Sequence, residues 1–209
     1  MTTRRFEMGG GLEESSRQNC PGPGTMMSKD RGFSMAELMV VAGVMLILTG
    51  IILPQIQSFV HLYALSGAAR EIAGQISLTR MRAGAEITQA QFVVNPIAES
   101  YQIQTCTAKN TTTGDCSAWT SENGTQYLPP GIFFGYGSIS TPADSQTTIG
   151  QTTSIIFNSR GIAITPGNNP TTNDALYLTN RWGQFCAVTV SAGGKTTVWK
   201  YTGSRWEEI

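Results

Sequence analysis

The chain has 209 residues, enough for one modest domain with appendages, and its 14 basic side chains balance 14 acidic ones. Zero net charge removes any bulk electrostatic case for nucleic acid or for strongly acidic partners. Charged residues are only 13% of the chain, so Thr, Ser, Asn and Gln carry the polarity, as suits an extracytoplasmic surface.

Residues 1–25, with Gly9-Gly10-Gly11 and Pro21-Gly22-Pro23-Gly24, show no hydrophobic period and no motif. Met26 and Met27 are alternative starts, which would leave a leader of six or seven residues ending at Gly32. Next comes Arg31-Gly32-Phe33-Ser34-Met35-Ala36-Glu37, running directly into an apolar stretch that ends at Leu53. From Phe33 to Leu53 there are 21 residues and one charge, Glu37. As a helix, that run is about 30 Å long, enough to cross a bilayer. Lys29 and Arg31 flank its start and should stay cytoplasmic, sending the C-terminal bulk outward.

Glu37 is the anomaly in this run. An acidic or basic side chain near the centre of a membrane helix costs roughly 2.5–3.5 kcal/mol on insertion scales, and less near an end. Cleavage between Gly32 and Phe33 would create an α-amine four residues before Glu37, able to pair with it or with the carboxylate of a neighbouring subunit. An ordinary signal anchor explains the length but not this spacing. A secretory signal peptide cut near Ala64-Leu65-Ser66 is excluded, because the apolar run exceeds the usual ~7–15 residues and that site lies far beyond it.

The basic residue, Gly, Phe, three small or apolar residues, Glu and long apolar run resemble the processing site of type IV pilins and type II secretion pseudopilins. The resemblance implies cleavage by a prepilin peptidase after Gly32, N-methylation of Phe33, and Glu37 as the residue that registers each subunit in a filament. Pro54 falls where many pilins carry a helix-bending proline. Without residues 1–32, the chain keeps nine basic and ten acidic side chains.

Beyond Pro54 the pattern becomes amphipathic. Leu62, Leu65, Ala69, Ile72, Ile76, Thr79 and Ala83 follow a three–four spacing, while Arg70, Glu71, Gln75, Arg80 and Arg82 mostly take other faces. One helix is therefore predicted from Phe33 to about Ile87, opened or bent at Pro54. Gly43 and Gly50 would permit close helix approach, or are ordinary membrane-helix glycines.

Short Val-, Ile-, Thr- and aromatic-rich segments then predict strands at 91–95, 101–105, 154–158, 161–165, 175–179, 184–191 and 196–201. Turn residues separate them, notably at Asn95-Pro96, Pro129-Pro130-Gly131, Ser159-Arg160-Gly161, 166–170 and Ala192-Gly193-Gly194. The expected fold is α+β: a long N-terminal helix, transmembrane first and amphipathic later, packed on an antiparallel β-sandwich-like domain. Its expected divisions are a leader at 1–32, an assembly helix at 33–54, an amphipathic half at 55–88 and a β-rich domain at 89–209.

Several segments also resemble the GspH/FimT class of minor pilins and pseudopilins. They are Ala69-Arg70, Thr79-Arg80-Met81-Arg82-Ala83, Ile155-Ile156-Phe157-Asn158-Ser159-Arg160-Gly161, and the strand from Gly194-Lys195 to Tyr201. The class implies a minor rather than a main fibre subunit.

Of the four cysteines, Cys20 precedes the cleavage site and Cys186 shares a strand face with Val188 and Val190, as a buried small hydrophobe would. Cys106 and Cys116 bracket the polar segment 107–115 and are either bridged or two free thiols; a bridge would stabilise by roughly 2–3 kcal/mol. No metal site or cofactor is expected, since there is no Cys-x-x-Cys and His61 is the only histidine. Asp115, Glu122, Asp144 and Asp174 read as solvated loop charges, and residues 131–137 lack the features of a phosphate loop. The chain reads as non-enzymatic.

The expected function is a structural minor subunit of a type II secretion pseudopilus or a type IV pilus. Its expected partners are prepilin peptidase, other pilins and the bacterial inner membrane, with a single pass and a periplasmic C-terminal domain. The alternative is a DNA-binding minor pilin of natural transformation, because some members of the resembled class bind DNA through an arginine-rich C-terminal motif. Here that region is Gly203-Ser204-Arg205-Trp206-Glu207-Glu208-Ile209, with one arginine and two glutamates. Lys195, Lys200 and Arg205 are the candidate phosphate contacts, with Trp199, Tyr201 and Trp206 as stacking platforms. Nucleic acid is nevertheless not the expected partner.

Overall fold

The computed structural model describes residues 32–144, 146–171 and 173–209. The leader, with Cys20, Lys29, Arg31 and the alternative starts, lies outside the described residues. Two compact units are distinguished, one reaching Met45 and one spanning Leu46–Ile209.

Helix α1 spans Met35–Ala85 and includes Pro54. It starts two residues after Phe33 because Ser34 caps it: the Ser34 hydroxyl accepts from the Ala36 amide at 3.3 Å. Its end also falls short of the predicted one, for a backbone reason. Ile87 takes a left-handed φ of 50°, so it cannot be helical. The Thr88 amide reaches back to the Ala83 carbonyl at 3.1 Å and the Ile87 amide to that of Gly84 at 3.4 Å, which is a Schellman-type exit.

Among the described residues eleven strands follow, and every pairing between them is antiparallel. They are β1 (Ala90–Asn95), β2 (Ser100–Lys109), β3 (Cys116–Ser121), β4 (Gln126–Tyr127), β5 (Ile132–Phe134), β6 (Ser154–Phe157), β7 (Ala163–Ile164), β8 (Asn173–Asn180), β9 (Phe185–Ser191), β10 (Thr196–Tyr201) and β11 (Trp206–Glu208). One sheet runs β3-β2-β1-β6-β7 with β4 added beside β2; the other runs β11-β10-β9-β8-β5. The fold is α+β. Strands β3, β4, β5 and β11 occupy segments for which the sequence predicted no strand. They are short or polar, and their pairing partners rather than their own composition make them strands.

The predicted helix stripe is the buried one. Leu65, Ala69, Ile72, Ile76, Thr79 and Ala83 are all buried, and only Leu62, at the end of the stripe, is half-buried. The apolar members join one core with Phe92, Ile103, Ile155 and Phe157 of the first sheet and Leu176, Leu178, Val188 and Val190 of the second. Each fully buried Leu, Ile, Val or Phe side chain contributes about 1.5–3 kcal/mol of transfer free energy, and the helix stripe shares that core with both sheets. Strand alternation sends Ala175 and Tyr177 of β8 the other way, into a smaller cluster with Ala143, Ala187 and Trp206.

Cys106 and Cys116 are joined by a disulfide, with Cα atoms 5.7 Å apart. β2 continues to Lys109 and β3 begins at Cys116, so the bridge staples a hairpin instead of bracketing the whole of 107–115 as loop. Cys186 is a free buried thiol, and burial pushes it up to about 11.

The four acidic residues expected to be solvated are not simple surface charges. Asp115 accepts from the Gly167 amide at 2.9 Å and from Asn168 Nδ2 at 3.0 Å, tying the hairpin to a second loop. Glu122 pairs with Arg82 at 3.2 Å and is only 16% exposed. Asp144 accepts from the Thr189 hydroxyl at 3.3 Å. Asp174 is half-buried, and the loss of water raises its carboxyl above the usual range, while bonds from Thr171 and Thr152 pull it back. All four hold loops together, a role set by contacts distant in sequence.

Candidate functional site

Gly32, Phe33 and Ser34 precede the helix as exposed irregular chain, and Glu37 lies in the first turn of α1, four residues after Phe33. A carboxylate there faces the positive end of the helix dipole, which is favourable by about 0.3–1 kcal/mol at an exposed site. The span Met35–Leu53 is long and apolar enough to cross a membrane, and none of it is buried against the protein itself. Leu46, Ile47, Ile51 and Leu53 are all at least half exposed, an arrangement that water would penalise and that hydrocarbon or sibling helices would not.

The C-terminal half of α1 is fixed to the sheets by polar contacts around its apolar stripe. Arg80 donates from Nε to the Gly161 carbonyl at 2.9 Å and from a terminal nitrogen to the Gly194 carbonyl at 3.2 Å. Gly161 and Gly194 have φ values of 72° and 76°. A Cβ on Gly161 would lie 2.8 Å from Arg80 Nε, and one on Gly194 would collide with the Gly161 carbonyl. Both glycines are thus required by conformation and by close approach. Glu71 accepts from the Tyr101 hydroxyl at 3.0 Å. Burial, with Glu71 beside it, pushes the Tyr101 phenol up to about 12. Arg80, Gly161 and Gly194 stood in three separate segments of the sequence, and only the fold brings them together.

The candidate phosphate contacts do not form one surface. Arg205 pairs with Glu207 at 2.9 Å, Lys195 lines a pocket with Arg80 and Arg160, and Lys200 lines a different groove with Phe59 and Tyr63. Trp206 is turned to the Thr141 carbonyl, 2.9 Å from its indole nitrogen, and Trp199 to the Thr189 hydroxyl at 2.8 Å. Tyr201 packs against Trp206, ring centroids 5.1 Å apart and tilted by 53°, so these rings pack on the protein itself. His61 stacks on Trp182, ring centroids 3.3 Å apart.

Residues 27–53 match the prokaryotic N-terminal methylation motif. Among solved structures, the chain is similar to the minor pseudopilin EpsH from the type 2 secretion system of Vibrio cholerae, at 12% identity and a TM-score of 0.44, over 64% of this chain and 94% of that one. It is also similar to the type IV minor pilin FimU of Pseudomonas aeruginosa, at 12% identity and a TM-score of 0.42, over 71% and 96% of the two chains. No curated protein matches the sequence. The motif takes in Gly32, Phe33, Glu37 and the apolar span up to Leu53, and over these residues the chain is similar to proteins that carry this methylation motif.

Proposed function

We propose that the protein is a structural minor subunit of a type IV pilus or a type II secretion pseudopilus, with no catalytic role. It is cut after Gly32 by a prepilin peptidase, methylated at Phe33, held in the inner membrane by the start of α1 and drawn into a filament through that helix. The carrying observation is the N-terminal methylation motif at 27–53, in which Glu37, four residues past Phe33, is the one carboxylate after the cut. In a filament, the amine of Phe33 on one subunit meets Glu37 of another, in surroundings where an opposite charge outweighs the cost of burying either alone. Pro54 adds a local loss of backbone hydrogen bonding where the helix leaves the membrane. The second set of resembling segments, from Ala69-Arg70 to Tyr201, supports the minor-subunit reading within the GspH/FimT class.

Glu37→Val tests the register. The variant should insert and be cleaved normally, because an apolar side chain costs less in hydrocarbon, yet fail to co-purify with sheared filaments or with partner pilins in detergent. Gly32→Val should block cleavage. Normal incorporation of Glu37→Val would remove the register mechanism; an intact leader on peptidase-exposed protein, read by mass spectrometry, would remove the pilin-type processing.

A further inference from the structure

A pocket of about 560 Å³ opens beside α1, bordered by the turn after β6 and the turn before β10. Three cations line it, Arg80, Arg160 and Lys195, together with the hydroxyl-bearing Ser77 and Thr196 and with Met81. No acidic residue is in its wall. Among the described residues, the ion pairs involve only Arg82 and Arg205, so none of the three has a carboxylate partner. One third of the nine basic side chains that follow residue 32 therefore converge on one pocket of a chain with almost no net charge.

These cations are held on defined backbone. Arg80 is fixed by the Gly161 and Gly194 carbonyls, which use two of the five guanidinium N–H groups and leave the others for a ligand. Asn158 Oδ1 accepts from the amides of Arg160 at 2.9 Å and Ile162 at 3.1 Å, setting the turn that carries Arg160. Ser191 Oγ accepts from the Lys195 amide at 3.1 Å and sets the other. The ligand class follows from the rim. Met81 is 64% exposed, and exposed Met beside Arg is typical of protein contacts. One helical position further on, Arg82 is engaged by Glu86 and Glu122. With Arg82 so paired, unpaired positive charge does not continue along α1 as the continuous line of charge on a phosphate polymer would require, whereas the three cations of the pocket suffice for one or two carboxylate side chains.

We infer that this pocket is the docking point for a glutamate- or aspartate-bearing segment of a neighbouring protein subunit, with an apolar side chain of that segment against Met81. The identity of the neighbour rests on the filament-subunit reading; the carboxylate specificity does not. The test uses the full chain in detergent and a fluorescein-labelled peptide of alternating glutamate and leucine, followed by fluorescence anisotropy. The glutamate peptide should bind in a salt-sensitive manner, and its glutamine counterpart should not. Replacing Arg160→Gln and Lys195→Gln together should weaken binding about fivefold to tenfold, the effect of losing two exposed charge pairs, with thermal unfolding unchanged. Inorganic phosphate should compete no better than sodium chloride at equal ionic strength. Equal binding of the two peptides, or undiminished binding by the double variant, would overturn the proposal. So would displacement by micromolar phosphate, which would make this a phosphate site. None of these results touches Glu37-dependent incorporation, which stands or falls on its own assay.

Discussion

Arg80 and Gly161 are 81 residues apart in sequence, and the guanidinium Nε of one donates to the carbonyl of the other at 2.9 Å. The same guanidinium reaches Gly194, so a single helix side chain closes turns that belong to different sheets. Gly161→Ala adds a methyl at a left-handed position and into the Arg80 side chain. It should destabilise by about 2–4 kcal/mol. Arg80→Met, which keeps an apolar stem but leaves both carbonyls without that donor, should cost less, about 1–2 kcal/mol, because the site is partly solvated. Urea unfolding of each variant in detergent, followed by tryptophan fluorescence, ranks the two.

Tyr101 and Glu71 make stability depend on alkaline pH. The phenol is raised from 10.0 to about 12, chiefly by burial and then by its bond to Glu71. The folded chain therefore holds that proton where the unfolded chain has lost it. The corresponding stability is complete below pH 10 and is lost as pH rises towards 12. Cys186, raised from 9.0 to about 11 by burial, starts a similar loss nearer pH 9. In Tyr101→Phe the decline above pH 10 should become shallower, while the part due to Cys186 persists. Unfolding midpoints measured at intervals from neutral to strongly alkaline pH give both slopes.

Ile87 is a β-branched residue at a helix exit where glycine is the usual occupant, with a φ of 50° and 77% exposure. The left-handed conformation costs a non-glycine residue about 1–2 kcal/mol, and glycine returns part of that through its freer unfolded chain. Ile87→Gly should therefore stabilise the protein by about 0.5–1 kcal/mol. A rise in thermal midpoint is the expected reading, and a fall would mean that the isoleucine side chain has a packing role.

Reducing the Cys106–Cys116 bridge frees a loop with a sequence separation of 10 residues. The double variant Cys106→Ala, Cys116→Ala should lose about 2–3 kcal/mol. The local turn should survive, because Asn110 Oδ1 still accepts from the Thr112 amide and Asp115 still holds Gly167 and Asn168. Urea unfolding of the double variant, compared with the parent chain with and without reductant, measures the term.

The parts of the structure legible in sequence were those encoded by local period. The stripe from Leu65 to Ala83 is one residue in three or four, and β1, β9 and β10 are runs rich in Val and Thr whose limits fall within a residue of the predicted ones. Cys116–Ser121 carries no such period; it is largely exposed, and it is a strand because β2 pairs with it. Trp206–Glu208 looked like a charged tail and is paired residue for residue with Trp199–Tyr201. The roles of Asp115, Asp144 and Asp174 were hidden for the same reason, since Asn168, Thr189 and Thr152, with which they bond, lie 22 to 53 residues away. The N-terminal motif was the opposite case. Gly32, Phe33 and Glu37 lie within six residues of each other, and the match to the methylation motif rests on that local pattern.

The outer strands of both sheets are poor templates. β7 has two residues, β5 and β11 have three each, and β3 is distorted by register shifts at Ala108 and pinned by the disulfide. Glu207 and Glu208 put negative charge along β11. Short, bulged and charged margins resist pairing with a strand of another molecule. Crowded side by side at the high local concentration of a fibre, these domains would not fuse sheet to sheet. On the filament reading proposed above, subunit contacts would then fall to α1 and to side-chain docking, and a polymer built that way could be taken apart again subunit by subunit.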